Sequence, residues 1–322
     1  MAHRVLVTAR QALRFASSRQ AELDAASVTL VPAELSTPTL HEESLLANLQ
    51  GCLASIAMPD PYTERVLAAC APTLKLIARS GVGYDSIDLD AATRLGVWVT
   101  TTPGSNHDTV ADYTMALMLA LLRNLVQTIE QTRSGIWQRM VGHELRGKNL
   151  GIIGTGRVGR EVGLRARAFG MTILAHDLYP NTEWAEQVGA RYVDLDNLLS
   201  ASDVLTLHAP LTDETRSLIG PRSLKKIKHG CFLVNTARGE LIDEGALVEA
   251  LDAGVVAGAA LDVFAQEPPL DRRLADHPHV LPTPHSAGGT HAAHERAAMM
   301  AIDEVLRVAC GDAPLHPVNR LG

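Results

Sequence analysis

Clusters of Lys and Arg are what this 322-residue chain most plainly lacks. Its 29 basic and 36 acidic side chains leave a formal charge of -7 that is spread through the sequence. No basic run could neutralise a phosphate backbone, so nucleic acid is not an expected partner. Long apolar runs are missing too. Residues 115–122 are apolar throughout but stop at Arg123, well short of the roughly eighteen residues a bilayer span needs. The first twenty residues open with a short apolar run and then carry Arg10, Arg14 and Arg19, which interrupts any signal-peptide core. A soluble, cytoplasmic protein with no membrane partner is the expectation. Cysteine is scarce and dispersed: Cys52, Cys70, Cys231 and Cys310 form no C-x-x-C pair. They read as reduced thiols packed as small hydrophobes rather than as disulfides. Internal repeats and low-complexity segments are absent.

What is present is an ordinary globular composition, 46% apolar and 20% charged, which predicts a packed core. At about 150 residues per domain the length predicts two domains, with room for a cleft between them. Short β-branched runs at 5–8, 28–31, 53–57, 74–78 and 97–99 read as buried parallel strands alternating with helices. The Thr101-Thr102-Pro103-Gly104 turn marks a hinge, and an apolar helix is expected over 108–126. The strand series restarts at 150–153 and continues through 172–175, 204–207, 232–235, 258–261 and 280–282. A final amphipathic helix over 287–309 has too little sequence around it to fold alone, so it should pack back on the first domain.

The segment Leu150-Gly-Ile-Ile-Gly154-Thr-Gly156-Arg-Val-Gly159 sets a G-x-G-x-x-G after an apolar strand and at the start of a helix. Gly154 suits the tight turn, Gly156 lets backbone approach a pyrophosphate, and Gly159 lets helix and strand sit close. The next strand ends at Asp177, roughly 20 residues beyond the first glycine, where a carboxylate accepts bonds from the adenosine ribose hydroxyls. It would repel a 2'-phosphate, and no Arg follows within Leu178-Tyr179-Pro180. NAD rather than NADP is therefore the expected cofactor.

Reducing a 2-oxo acid requires a cation for the carboxylate, a proton donor for the carbonyl oxygen, and a group that keeps the donor charged. Arg238, Glu267 and His285 supply those types, each just beyond a strand C-terminus, where open α/β sheets bind ligands. Taken singly, each also has an ordinary role open to it: a surface ion pair, a solvated loop acid, a hydrogen-bonded histidine.

Several long, ordered motifs bear on that choice. They are Ser80-Gly-Val-Gly83-Tyr-Asp85-Ser-Ile-Asp88, Asn106-His-Asp-Thr-Val-Ala111-Asp-Tyr, Gly135-Ile-Trp137, Leu145-Arg-Gly-Lys148, Asn235-Thr-Ala-Arg238-Gly239, Ala260-Leu-Asp262-Val-Phe-Ala-Gln-Glu267-Pro268 and Pro284-His285-Ser-Ala-Gly288, together with the glycine motif. With them the chain resembles, over nearly its whole length, the D-isomer-specific 2-hydroxyacid dehydrogenases. The resemblance implies an α/β fold of two Rossmann-like, doubly wound parallel-sheet domains. The NAD domain, 103–288, would be inserted into a split substrate domain, 1–102 plus 289–322.

It also implies that Arg238, Glu267 and His285 form the catalytic set: His285 as acid and base, Glu267 raising its pKa, Arg238 holding the substrate carboxylate. Backbone N–H groups of the Ser80, Gly81, Val82, Gly83 loop would hold the carboxylate's other side. The nicotinamide would lie near Val82, Thr109, Ala237 and Asp262, with Asp262 on its carboxamide, and the pyrophosphate against Arg157 and Val158. Ala209 and Pro210 would border the adenosine, Thr236 and Gly288 complete the cofactor set, and His208 beside them reads as structural. A homodimer is implied, with the helix after Pro103 and the Trp137 region as interface. The chain departs from the pattern at Asp112, where the family commonly has Glu, and at Ser286, where it has a bulkier residue; neither touches the proposed chemistry.

Three alternatives stay open or fall at this point. Formate dehydrogenases of the superfamily have Gln where Glu267 stands, which argues against formate. A phosphite dehydrogenase keeps the same Arg/Glu/His set, and a non-catalytic NAD-sensing corepressor shares the scaffold. A metal site is not expected, because His291 and Glu295 stand four apart on a helix without a third ligand. The substrate's C3 substituent is not legible from sequence.

Overall fold

The computed structural model describes residues 2–34, 40–71 and 73–321, and they form two compact units, Met1–Asn106 with Gly289–Gly322, and His107–Gly288. Strands buried on both faces need nearly continuous apolar sequence, and the runs that satisfy this are the ones that form sheets. In the first unit β1 (His3–Val7), β2 (Val28–Pro32), β3 (Ala54–Ala57), β4 (Leu76–Arg79) and β5 (Trp98–Thr100) pair in parallel in the order β2-β1-β3-β4-β5. The long helix His291–Ala309 belongs here: its Ala298, Ala301, Ile302 and Val305 pack with Val5, Val7, Ile56 and Leu76 on one face of the sheet. The tail beyond it is tied to the edge strand, with the Val318 amide donating to the Val99 carbonyl at 2.8 Å.

In the second unit β6 (Asn149–Ile153), β7 (Thr172–His176), β8 (Arg191–Tyr192), β9 (Val204–Leu207), β10 (Cys231–Asn235), β11 (Val256–Leu261) and β12 (Val280–Pro282) form one parallel sheet, ordered β12-β11-β10-β9-β6-β7-β8. Alternate residues feed two cores: Leu205, Leu207 and Leu233 pack on one face, Val204, Phe232 and Val234 on the other. The strand order reverses between β6 and β9, the topological switch point at which such sheets bind ligands.

The structure corrects the sequence reading in four places. The helix expected over 108–126 is broken: His107–Leu122 is followed by Leu125–Arg133 at a bend of 62°. Asn124 makes the break, with a φ of 50° in the left-handed region that Asn tolerates better than most residues. The two-residue strand β8 was not expected, being too short to show a period. The last helix begins at His291 rather than 287, where the Thr290 side chain accepts from the Ala293 amide as its cap. Cys310, at the C-terminal end of that helix, is exposed, unlike the buried thiols of Cys52, Cys70 and Cys231. Among the described residues no single helix is long and apolar enough to cross a membrane.

Candidate active site

Every parallel strand of the second unit ends on the same side of its sheet, so the residues following β6, β7, β9, β10, β11 and β12 share one edge. Three neighbouring strands, β10, β11 and β12, carry Arg238, Glu267 and His285 in that order.

Arg238 sits in a turn held by Asn235, whose side chain accepts from the Ala237 amide at 3.0 Å and donates to the Arg238 carbonyl at 2.7 Å. The Arg238 guanidinium donates to the Ala237 carbonyl at 2.6 Å. The turn lies backbone to backbone against the segment after β11: a Cβ on Gly239 would overlap the Phe264 and Ala265 main chain, so only glycine fits this crossing. Glu267 folds back so that one carboxylate oxygen accepts from the Phe264 amide at 3.1 Å and the other meets His285 Nδ1 at 2.8 Å. Burial pushes the Glu267 carboxyl up. The His285 hydrogen bond and charge, the Phe264 amide and the Arg238 charge outweigh that and hold it below the usual carboxylate range. An ionised Glu267 fixes a proton on His285 Nδ1 and turns Nε2 outward.

His285 has a φ of 52°, a backbone conformation costing about 1–3 kcal/mol that must be held by its surroundings. The holder is Asp262, a nearly fully buried acid at the end of β11. Its main-chain carbonyl accepts from the His285 amide at 2.8 Å. One side-chain oxygen accepts from the Thr283 hydroxyl at 2.6 Å and the Ser286 amide at 2.8 Å, and the other from the Ala287 amide at 2.8 Å. Sequence reasoning gave Asp262 to the carboxamide alone and missed this clamp. The signal was a carboxylate ending an apolar strand, which must find several donors when buried.

The glycine motif closes the turn from β6 into helix Arg157–Ala168. Gly154 has a φ of 90°, and a Cβ there would come within 2.6 Å of the Ala209 amide nitrogen; one on Gly159 would overlap the Gly154 carbonyl oxygen. A Cβ on Gly156 would meet nothing, which leaves that backbone open to a ligand. Arg157 and Val158 form the helix's first turn, and twelve residues of aligned amides point their N-terminal end at the turn. The crowding of Gly154 against residues 208 and 209 brings the turn after β9, with Ala209 and Pro210, alongside the fingerprint. Burial pushes His208 down to about 3, which favours its neutral form. Asp177, after β7, accepts from the Thr155 amide at 2.6 Å, the Thr155 hydroxyl at 3.0 Å and the Tyr179 amide at 2.8 Å. Burial raises its carboxyl, but these bonds prevail and hold it below the usual range. A backbone-open glycine, a helix N-terminus and an ionised acid on the next strand are what a dinucleotide needs.

Thr109 stands in the first turn of helix His107–Leu122, and the Thr236 and Thr114 hydroxyls of that unit meet at 2.9 Å. Gly288 ends the unit. Asp112, the departure from Glu, forms an ion pair with Arg165 at 2.6 Å. The Ser80–Gly83 loop follows β4 in the first unit. Its Gly81 amide donates to the Arg79 carbonyl at 2.9 Å. Among the described residues no group of three His, Cys, Asp or Glu side chains could hold a metal ion.

Comparison with known proteins gives a consistent result. Residues 115–287 match the model of the D-isomer specific 2-hydroxyacid dehydrogenase NAD binding domain. A glyoxylate reductase of Aeropyrum pernix is 44% identical over 288 residues, which is 86% of each chain. A D-3-phosphoglycerate dehydrogenase of Bacillus subtilis is 44% identical over 249 residues, 77% of this chain and 47% of the relative. The chain thus spans about half the length of that relative. Among solved structures, the D-lactate dehydrogenase of Aquifex aeolicus, complexed with NAD and lactic acid, superposes with a TM-score of 0.84 at 30% identity over 96% of both chains.

Proposed function

Since the chain belongs to the D-isomer-specific 2-hydroxyacid dehydrogenase family, we propose that it interconverts a small D-2-hydroxy acid and its 2-oxo acid with NAD as cofactor. The observation that carries this reading is the 2.8 Å pair between His285 Nδ1 and an ionised Glu267. The pair leaves His285 Nε2 as the atom that gives a proton to the C2 oxygen in reduction and takes it back in oxidation. Glu267 stabilises the imidazolium formed in oxidation and orients the ring. Arg238 pairs with the substrate carboxylate through its planar fork and draws electron density from the adjoining carbonyl. NAD, when bound, accepts or donates the hydride. Gly154, Gly156, Arg157, Val158 and Gly159 hold its pyrophosphate in this reading, and Asp177 its adenosine ribose. Ala209 and Pro210 border the adenosine, while Thr109, Thr236, Ala237, Asp262 and Gly288 line the nicotinamide side. In this reading the Ser80, Gly81, Val82 and Gly83 loop of the first unit offers backbone amides to a carboxylate.

Small unphosphorylated acids head the substrate class. The glyoxylate reductase is matched over 86% of its length, and Arg79 beside the Ser80–Gly83 loop already donates to the Ala57 and Ser80 carbonyls at 3.3 and 2.6 Å. Through that one nitrogen, Nη1, Arg79 braces the loop. Four free thiols fit a protein working in the cytoplasm. The test is NADH oxidation over glyoxylate, hydroxypyruvate, pyruvate, 2-oxoglutarate, bulky aryl 2-oxo acids and 3-phosphohydroxypyruvate, with phosphite plus NAD on the same plate. Turnover of glyoxylate or hydroxypyruvate above the others is expected. NADH binding without reduction of any of them would overturn the reading.

A further inference from the structure

A chain of hydroxyls stands behind Asp177. The Thr155 hydroxyl donates to Asp177 Oδ2 at 3.0 Å and lies 2.8 Å from the Tyr192 hydroxyl, which accepts from the Asn181 amide at 2.9 Å. The direction of the middle bond follows from counting protons. Thr155 has one hydroxyl proton and gives it to the carboxylate, so the Tyr192 proton must go to Thr155 Oγ1. Every member then donates toward the anion, from the Asn181 amide through Tyr192 and Thr155 to Asp177, an arrangement in which each bond polarises the next. Its far end is anchored. The Tyr192 ring packs edge-on against Trp184 at 6.2 Å, and Trp184 is buried with its Nε1 donating to the Arg160 carbonyl at 3.1 Å. The Asn181 side chain caps the helix that carries Trp184, accepting from the Trp184 amide at 2.8 Å.

Resting on the ribose role of Asp177 given above, we propose that Thr155 and Tyr192 are positioning residues that make this site select NAD over NADP. An acidic residue at the end of the second strand discriminates only if it stays charged and in place. Faced with a 2'-phosphate, an acid has two escapes: it can take up a proton, or rotate away and let the phosphate sit where it was. The relay closes both. Two donors from Thr155 saturate Oδ2 and the Tyr179 amide holds Oδ1, so rotation about the side chain would break three bonds to the anion. The same donors favour the ionised form. What remains for the ligand is the second lone pair of Oδ1, an acceptor that a ribose hydroxyl can satisfy and a phosphate dianion cannot. Tyr192 touches neither cofactor nor substrate in this account; it acts through Thr155.

The test is the dissociation constant for NADH and for NADPH, measured by calorimetry on the full chain with no substrate present, so that it does not depend on turnover. For Tyr192→Phe the NADH constant is expected to rise about 3–10-fold, as for loss of one bond in a charged network, with NADPH unchanged or tighter. Thr155→Val should do the same to a larger degree, and Thr155→Ser, which keeps the hydroxyl, should restore the wild-type ratio. In an Asp177→Ala background, Tyr192→Phe should have no further effect on the ratio, since the two act through one group. An unchanged NADH to NADPH ratio in Tyr192→Phe, an equal weakening of both cofactors, or a Tyr192→Phe penalty that persists without Asp177 would each overturn the proposal. If Asp177→Ala itself leaves NADH binding intact, the ribose assignment fails instead, which keeps the two failures apart.

Discussion

At the scale of single residues, the account rests on a histidine held in a backbone conformation it would not choose and aimed by an acid that stays ionised. Replacing His285 with Gln keeps a polar side chain but removes the acid. Reduction of 2-oxo acids should fall by at least about two decades while the NADH dissociation constant stays within twofold, measured by stopped-flow absorbance and fluorescence titration. Glu267 makes a separate prediction in stability. Its carboxyl is held below the ordinary value, so the folded state gains from its ionisation. That gain is complete above the unfolded value of about 4.3 and is lost as pH falls through the lowered folded value. Denaturation midpoints of the wild type and Glu267→Gln, measured from pH 7 to pH 3, should differ most at neutral pH and converge only below about pH 4.3; a gap independent of pH would contradict the pair. That Arg238, Glu267 and His285 stand just beyond strand ends was legible from the strand pattern, while their grouping as one set came from the family resemblance. The clamp by Asp262 was not, because hydrogen bonds from Thr283, Ser286 and Ala287 depend on how the loop after β12 folds over β11.

At the scale of elements, the turn between β6 and the helix Arg157–Ala168 separates two jobs that the three glycines share in sequence. A methyl on Gly159 would overlap the Gly154 carbonyl, whereas one on Gly156 meets open space. Gly159→Ala should therefore destabilise the protein by about 1–3 kcal/mol through overpacking. Gly156→Ala should fold normally and lose NADH affinity, and urea denaturation alongside NADH titration separates the two. The broken helix makes a second test. Asn124 adopts a φ of 50° and its side chain donates to the Val141 carbonyl at 3.0 Å. Asn124→Ala should cost about 1–2 kcal/mol in the same denaturation experiment, and Asn124→Gly less. Periodicity located eleven strands because buried parallel strands are apolar runs. It failed at the break, where apolar residues continue on both sides of Asn124, and at β8, whose two residues cannot show a pattern.

At the scale of the whole molecule, the two parallel-sheet units and the return of the last helix to the first of them were legible, since the helix 291–309 has a buried face and no sheet of its own nearby in sequence. Assembly was not. We propose a homodimer that uses the helix after Pro103 and the Trp137 region, where Trp137 and Val141 are each 92% exposed and a groove of about 520 Å³ is lined by Leu119, Arg123, Leu125, Thr128, Arg139 and Met140. Two large apolar side chains left this exposed suit an interaction face. Sedimentation at micromolar concentration should give a dimer, and Trp137→Ala with Val141→Ser should shift it toward monomer; a monomeric wild type would refute the assignment. The measurement that bears most directly on the central claim follows deuterium from NADH labelled at both C4 positions into product during reduction of glyoxylate or hydroxypyruvate. Label recovered on C2 of the 2-hydroxy acid, in the D configuration where C2 is a stereocentre, and lost when His285 is replaced by Gln, is the predicted result. Product without label at C2, or labelled product formed equally well without His285, would contradict it.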